Sequence, residues 1–312
     1  MIARGSSMRK RMYIIWGLLR KTFDKWNDDN ASQLAAAIAY YTIFSIPPLL
    51  IIALAIAGYF FNAVTAQNQL VAQMGGFVGA QTADFVKSLL VNSTQSSSGL
   101  IASIISIVVL LAGASGIFLQ VQDALNTVWN VPKKQNRGLI KTLKNRLLSF
   151  LMVLAIGFLL LVFLILSAGI SILIGYVNGG AQNKLLPELI NFLVLFFLIT
   201  ILVAMIYRVI PDKEISWTDV WLGAVVTALL FMLGRYAIGL YLAISKSGST
   251  YGTAGSLIVL LLWIYYSAQI FLLGAEFTQV YSKKFGSHRQ PEVNPLLKGE
   301  KTPARQGSDH EE

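Results

Sequence analysis

The sequence predicts an all-α protein, a polytopic membrane bundle of six transmembrane helices with an N-terminal amphipathic helix and short helices in its first outer loop. Three observations carry this. Only 13% of the 312 residues are charged and 55% are hydrophobic, with a mean hydropathy of +0.63, whereas a soluble domain carries about 25% charged residues. The charges crowd into short segments between long uncharged runs. Six of those runs reach the roughly 20 helical residues needed to cross about 30 Å of hydrocarbon.

Residues 1–34 form an N-terminal segment in which Met12, Ile15, Leu19 and Trp26 recur at helical spacing, with arginines and lysines elsewhere on the wheel. The pattern predicts a helix over 8–26 lying on the inner leaflet; the alternative is a solvated helix packed on the protein. No cleavable signal peptide is expected, because the first long apolar run begins near Ala35, behind this charged segment. The membrane domain covers 35–282, with spans at 35–61, 100–120, 147–176, 189–210, 218–243 and 256–279. The connection at 62–99 holds Leu70, Met74, Phe77, Phe85 and Leu89 at periodic positions, which predicts one or two short helices on the outer face. Residues 283–312 are polar and contain Pro291, Pro295 and Pro303, as expected of a disordered tail.

Charge orients the spans. Twenty-one lysines and arginines fall in the N-terminal segment, the loops after spans two and four, and the tail; Lys87, Lys184 and Lys246 fall in the alternate loops, and Arg235 within span five. By the positive-inside rule both termini are cytoplasmic. The net charge of +10 therefore needs no nucleic-acid partner. The absence of cysteine excludes thiol catalysis and disulfides, and the two histidines, His288 and His310, lie in the tail.

Three stretches carry polar residues into the apolar runs. In "YYTIFSIPPLL", Pro47 and Pro48 remove two helical donors, freeing the carbonyls of Ile43 and Phe44. A helix break or kink between Ile43 and Pro48 is expected there, beside Tyr40, Tyr41, Thr42 and Ser45, and such features line substrate sites in transporters or serve packing alone. In span two, Gly113, Gly116, Gln120, Asp123 and Thr127 share one helical face; in span six, Tyr265, Gln269, Leu272 and Glu276 do. The expected polar site is Tyr40, Tyr41, Ser45, Gln120, Asp123, Gln269 and Glu276. Asp123 and Glu276 lie at similar depth, close enough to share a proton or separately solvated, with Arg208 or a basic loop residue as the charge partner of Glu276.

The chain resembles the YihY/BrkB family of bacterial inner-membrane proteins. The resemblance rests on "LAAAIAYYTIFSIPPLL", "LQVQDALNTVWNV", "YRVIPD" followed by "WTDVWLGAVVTALLF", and "YGTAGSLIVLLLWIYYSAQIFLLGAEFTQVY". It implies six helices in the cytoplasmic membrane with both ends inside, and a role in envelope integrity, serum resistance or lipid export. The family also carries an older ribonuclease label. Against it, the sequence has no histidine before position 288 and only scattered acids, where metal-dependent cleavage needs clustered ligands. No enzyme activity, cofactor or metal is expected. Two functions remain: a transporter or flippase for an amphiphilic envelope substrate, and a non-transporting scaffold of an envelope complex. The expected partners are membrane lipids, with a homo-oligomer or an envelope protein as further candidates.

The threading is tested by single cysteines in this cysteine-free chain. A cysteine at Ser97 is expected to react with an impermeant reagent from outside, and one at Ser308 only after permeabilisation. Labelling of Ser308 in intact cells would overturn the orientation.

Overall fold

A computed structural model describes residues 3–60, 67–68, 71–72, 75, 83, 86–88, 116–132, 185–245 and 252–286. Helix is the only regular secondary structure among them. The elements are α1 (Ala3–Asp28), α2 (Ala31–Phe60), α3 (116–128), α4 (Leu185–Val209), α5 (Trp217–Ser245) and α6 (Gly252–Lys284). Within the described residues, Phe192–Val209, Trp217–Ala237 and Leu257–Lys284 are long and apolar enough to cross a membrane. They coincide with expected spans four to six, and α2 coincides with span one. The expected span at 147–176, the tail beyond 286, Gly113 and most of the outer connection lie outside the described residues.

Helix ends follow local chemistry. Asn30 takes φ 51°, a conformation asparagine tolerates better than most residues. Its N–H closes α1 on the Asn27 carbonyl, and its own carbonyl accepts the Gln33 and Leu34 N–H groups that open α2. The two-residue corner Asp29–Asn30 therefore turns the chain from one helix into the next. At the end of α3, Asn130 takes φ 52° in a Schellman cap: Val131 N–H bonds the Asn126 carbonyl and Asn130 N–H that of Thr127. Pro211 follows the end of α4, and Asp219 occupies the first turn of α5, where a negative charge complements the helix dipole.

Of the break or kink expected at Pro47 and Pro48, the break does not occur: α2 runs through both as one helix. Two prolines remove two hydrogen bonds, but their φ is already helical. In hydrocarbon, unwinding the flanking turns would expose still more backbone polar groups. Just before the prolines, the hydroxyls of Thr42 and Ser45 donate to the Ile38 and Tyr41 carbonyls at 2.7 and 2.8 Å.

Helix α6 is central, packing against α5, α2 and α1, while α4 packs against α5. The α5–α6 contact is an interlock of small residues. A Cβ on Gly223 of α5 would collide with the Thr278 hydroxyl of α6, and one on Gly274 of α6 with the Thr227 hydroxyl of α5. Each glycine thus receives the opposing threonine, and the spacing Gly-x-x-x-Thr repeats on both helices. Each threonine hydroxyl also lies within hydrogen-bonding distance of the carbonyl of the glycine on its own helix, at 2.8 Å for Thr227 and 2.7 Å for Thr278, so no orphan hydroxyl enters the seam. Tyr207 of α4 closes the junction, its hydroxyl donating to the Phe271 carbonyl at 2.5 Å and lying 3.1 Å from Thr227 Oγ1. Outside this core, Leu189, Leu193 and Phe197 of α4 and Leu229, Leu233 and Tyr236 of α5 stay exposed, as lipid-facing side chains would.

Helix α1 buries Leu18 and Thr22 but leaves Met12, Trp16, Leu19 and Phe23 exposed in one stripe. The helix thus packs on the protein while these apolar side chains remain uncovered.

Gly274→Ala is expected to destabilise the protein by about 1–3 kcal/mol, because the added methyl has no room in the seam. Adding Thr227→Ala should recover part of that loss, so the pair is non-additive in chemical unfolding of the detergent-solubilised protein.

Candidate polar layer at the corner end of the bundle

The α1–α2 corner, the end of α3, the α4–α5 loop and the end of α6 meet at one end of the bundle. Side chains tie them together. Asp212 in the α4–α5 loop accepts from Asn126 Nδ2 at 3.2 Å and from Gln122 Nε2 at 3.4 Å, while its own N–H donates to Asn126 Oδ1 at 2.8 Å. Gln122 Nε2 also reaches the Ile210 carbonyl at 3.3 Å. Lys213 then lies 5.5 Å from the centre of the Trp129 ring, in cation–π geometry. Gln279 of α6 donates to the Val128 carbonyl, one of the carbonyls left over at the end of α3. Ser282 of α6 donates to Asp219 Oδ2 of α5 at 2.7 Å.

Glu276 lies within this layer and is fully enclosed, with 0% of its surface exposed. Neither carboxylate oxygen accepts a hydrogen bond of normal geometry. The charged groups that act on it are Asp29 at the α1–α2 corner, Lys25 one helical turn earlier, and Lys283 on its own helix. Lys25 and Asp29 form an ion pair at 3.3 Å.

The residues expected from sequence divide accordingly. Ser45 and Glu276 are buried, while Gln120, Asp123 and Gln269 are partly buried. Tyr40 is 59% exposed and stacks edge-on with Tyr41 and Phe44. Tyr41 is also exposed on one side but packs on Gly116 of α3, where a Cβ would lie 2.9 Å from its ring. The carboxyl that faces Glu276 is Asp29, and Arg208 sits 6.0 Å from the centre of the Trp217 ring. The inward polar face of α3 is also displaced from the expected one: Gln122 and Asn126 are buried beside Phe118, Leu125 and Trp129. Both faces carry polar residues at i+4, and the large apolar neighbours are the signal that selects the buried one. Asp29, Asp212, Asp219, Gln279 and Tyr207 were not among the expected site residues, because their partners are distant in sequence.

A second feature lies between α1, α5 and α6. Phe23 and Trp26 of α1, Leu233, Gly234 and Ala237 of α5, and Tyr266 and Gln269 of α6 line a groove of about 390 Å³. It is open on one side, and its lining is apolar except near Gln269, whose buried Oε1 has no hydrogen-bond partner. Gly234 shapes it, since a Cβ there would lie 2.8 Å from the Tyr266 ring.

The sequence profile of the family described as Virulence factor BrkB matches residues 22–295. A UPF0761 membrane protein of Mannheimia succiniciproducens is 28% identical over 268 residues, covering 82% of this chain and 86% of its own. UPF0761 membrane proteins of Verminephrobacter eiseniae and Ralstonia nicotianae are 28% and 27% identical over 267 and 266 residues. This chain spans only 60% and 57% of their respective lengths. No solved structure matches the chain.

Asp212→Ala should cost about 2 kcal/mol, because it removes a charged acceptor shared by two side-chain amides. Asn126→Ala should add little to it, since both changes dismantle one network. Unfolding midpoints and protease cleavage within 210–216 measure both effects.

Proposed function

Since the chain is a membrane protein of the virulence factor BrkB family, we propose that it is a transporter or flippase for an amphiphilic, lipid-like envelope substrate. The supporting observation is the groove between α1, α5 and α6. Its α5 and α6 walls belong to membrane-spanning segments, so its open side faces lipid, and an acyl chain can enter laterally without crossing water. Gln269 supplies a polar side chain in its lining, suited to a hydroxyl or amide near the head of such a molecule. The corner end faces the cytosol in this reading, as the lysines and arginines expected there favour. The exposed Met12–Trp16–Leu19–Phe23 stripe of α1 then lies in the inner leaflet. The protein acts without covalent chemistry, in the cytoplasmic membrane.

The scaffold reading draws on a different observation, the glycine–threonine seam with Tyr207, which packs α4, α5 and α6 too closely for a path between them. Among the described residues this leaves the α1 side for a transport path.

Reconstitution into liposomes separates the two. Proteoliposomes carrying headgroup-labelled lipid are expected to expose inner-leaflet label to an impermeant quencher faster than protein-free vesicles do. Ala237→Trp, placed at an exposed position of the groove wall, should slow this several-fold while leaving the unfolding midpoint unchanged. Equal rates with and without folded protein would favour the scaffold.

A further inference from the structure

We propose that Asp29 and Glu276 form a single proton-binding site at the junction of the α1–α2 corner and α6. Among the described residues, Glu276 is the acid that is fully enclosed with both oxygens free of hydrogen bonds. Such a group is costly to keep as an isolated anion. Helices α1 and α2 both pack on α6, and Asp29 at their corner acts on Glu276 while holding Lys25 in an ion pair at 3.3 Å. One proton completes the set. It adds to a Glu276 oxygen, and the resulting O–H donates to the Asp29 carboxylate, whose charge Lys25 balances. When the proton leaves to water, two adjacent carboxylates share one lysine and repel each other.

The surroundings fit this use. Lys25 acts on Glu276 from α1 and Lys283 from α6 itself, with Lys213 of the α4–α5 loop acting on Lys283 in turn, and Glu276 acts on Tyr207 of α4. Helix α2 carries no charged side chain. On α5, Asp219 is engaged by Ser282, and α3 meets α6 through Gln279 and the Val128 carbonyl, with Asp123 partly exposed on another face. Lys25 and, two turns away on the same helix, Lys283 are thus the cations that act on a deprotonated Glu276. Losing the proton leaves two carboxylates on Lys25 and loosens the α1–α2 corner, and regaining it restores the contact between Asp29 and Glu276. The pair holds its proton equally well in a transporter and in a scaffold.

Infrared difference spectroscopy of the full chain in nanodiscs, titrated with pH, tests this. The wild type is expected to show a protonated-carboxyl C=O band that shifts in D2O and disappears as pH rises. Glu276→Gln, which preserves shape and can still donate to Asp29, should abolish that band completely. Asp29→Asn should displace it, because the acceptor of the acid proton has changed. Absence of the band at every pH where the protein is folded, or its survival in Glu276→Gln, would overturn the site. An unmoved band in Asp29→Asn would overturn the pairing. None of these readings depends on flux, so a failed transport assay leaves them standing.

Discussion

Lipid tails are as apolar as leucine, so burying apolar side chains gives membrane helices little reason to associate. What holds this bundle is the approach of α5 and α6, where Gly223 receives Thr278 and Gly274 receives Thr227. Absence of a side chain at two positions brings two helices into close van der Waals contact over more than a turn. The same approach puts the Thr227 hydroxyl and the Phe271 carbonyl within reach of Tyr207, so α4 is fixed by the identical seam. The rest follows from where this places α6. Its Gln279 meets the end of α3, its Ser282 meets the start of α5, and its Glu276 meets the corner between α1 and α2.

The polar layer serves a different purpose from the seam. Helix ends leave carbonyls and N–H groups without partners, and a bundle end that is packed rather than solvated must supply them. Gln279 and Asn130 both serve the Val128 carbonyl, and Gln122 serves that of Ile210. Asp212 then satisfies the two amides that do this work from α3. Every member of this network except Glu276 has a structural reason to be polar. Among the described residues Glu276 is the buried acid with no hydrogen bond to either oxygen, and a buried acid in a membrane span points to a functional site.

How much was legible from sequence depended on the range of the interaction. Apolar run length and charge placed α2, α4, α5 and α6 within a few residues, because both are local properties. The Gly-x-x-x-Thr repeat was visible but unread, since a small residue signals close contact only once its opposite number is known. The candidate site was half legible. Helical spacing put Glu276 and Gln269 on one side of α6, yet Asp29, more than two hundred residues earlier, carried no sign of facing Glu276. On α3 periodicity singled out the face of Gln120 and Asp123, which is partly buried, and passed over Gln122 and Asn126, which are buried. Burial follows Phe118, Leu125 and Trp129, whose size decides which side turns inward. Proline chemistry misled in the other direction: the donors lost at Pro47 and Pro48 were counted, but not the cost in hydrocarbon of breaking the turns around them.

Helix α1 connects the two sites that packing leaves unexplained. Its Phe23 and Trp26 line the groove and its last turn leads into Asp29, so a rigid helix carries one wall of the groove and one half of the carboxyl pair. It is also lightly held, burying Leu18 and Thr22 while most of its apolar stripe stays uncovered, whereas α6 is gripped by α5 and α2. A displacement of α1 relative to α6 therefore changes the groove and the Asp29–Glu276 separation together. If a lipid and a proton each favour one position of α1, they are coupled, and the coupling must be reciprocal: whatever factor the proton imposes on lipid affinity, the lipid imposes on proton affinity. The Gly/Thr seam contributes by staying still. Because α4, α5 and α6 cannot separate easily, free energy released at the carboxyl pair is directed into α1, which is lightly held among the described helices.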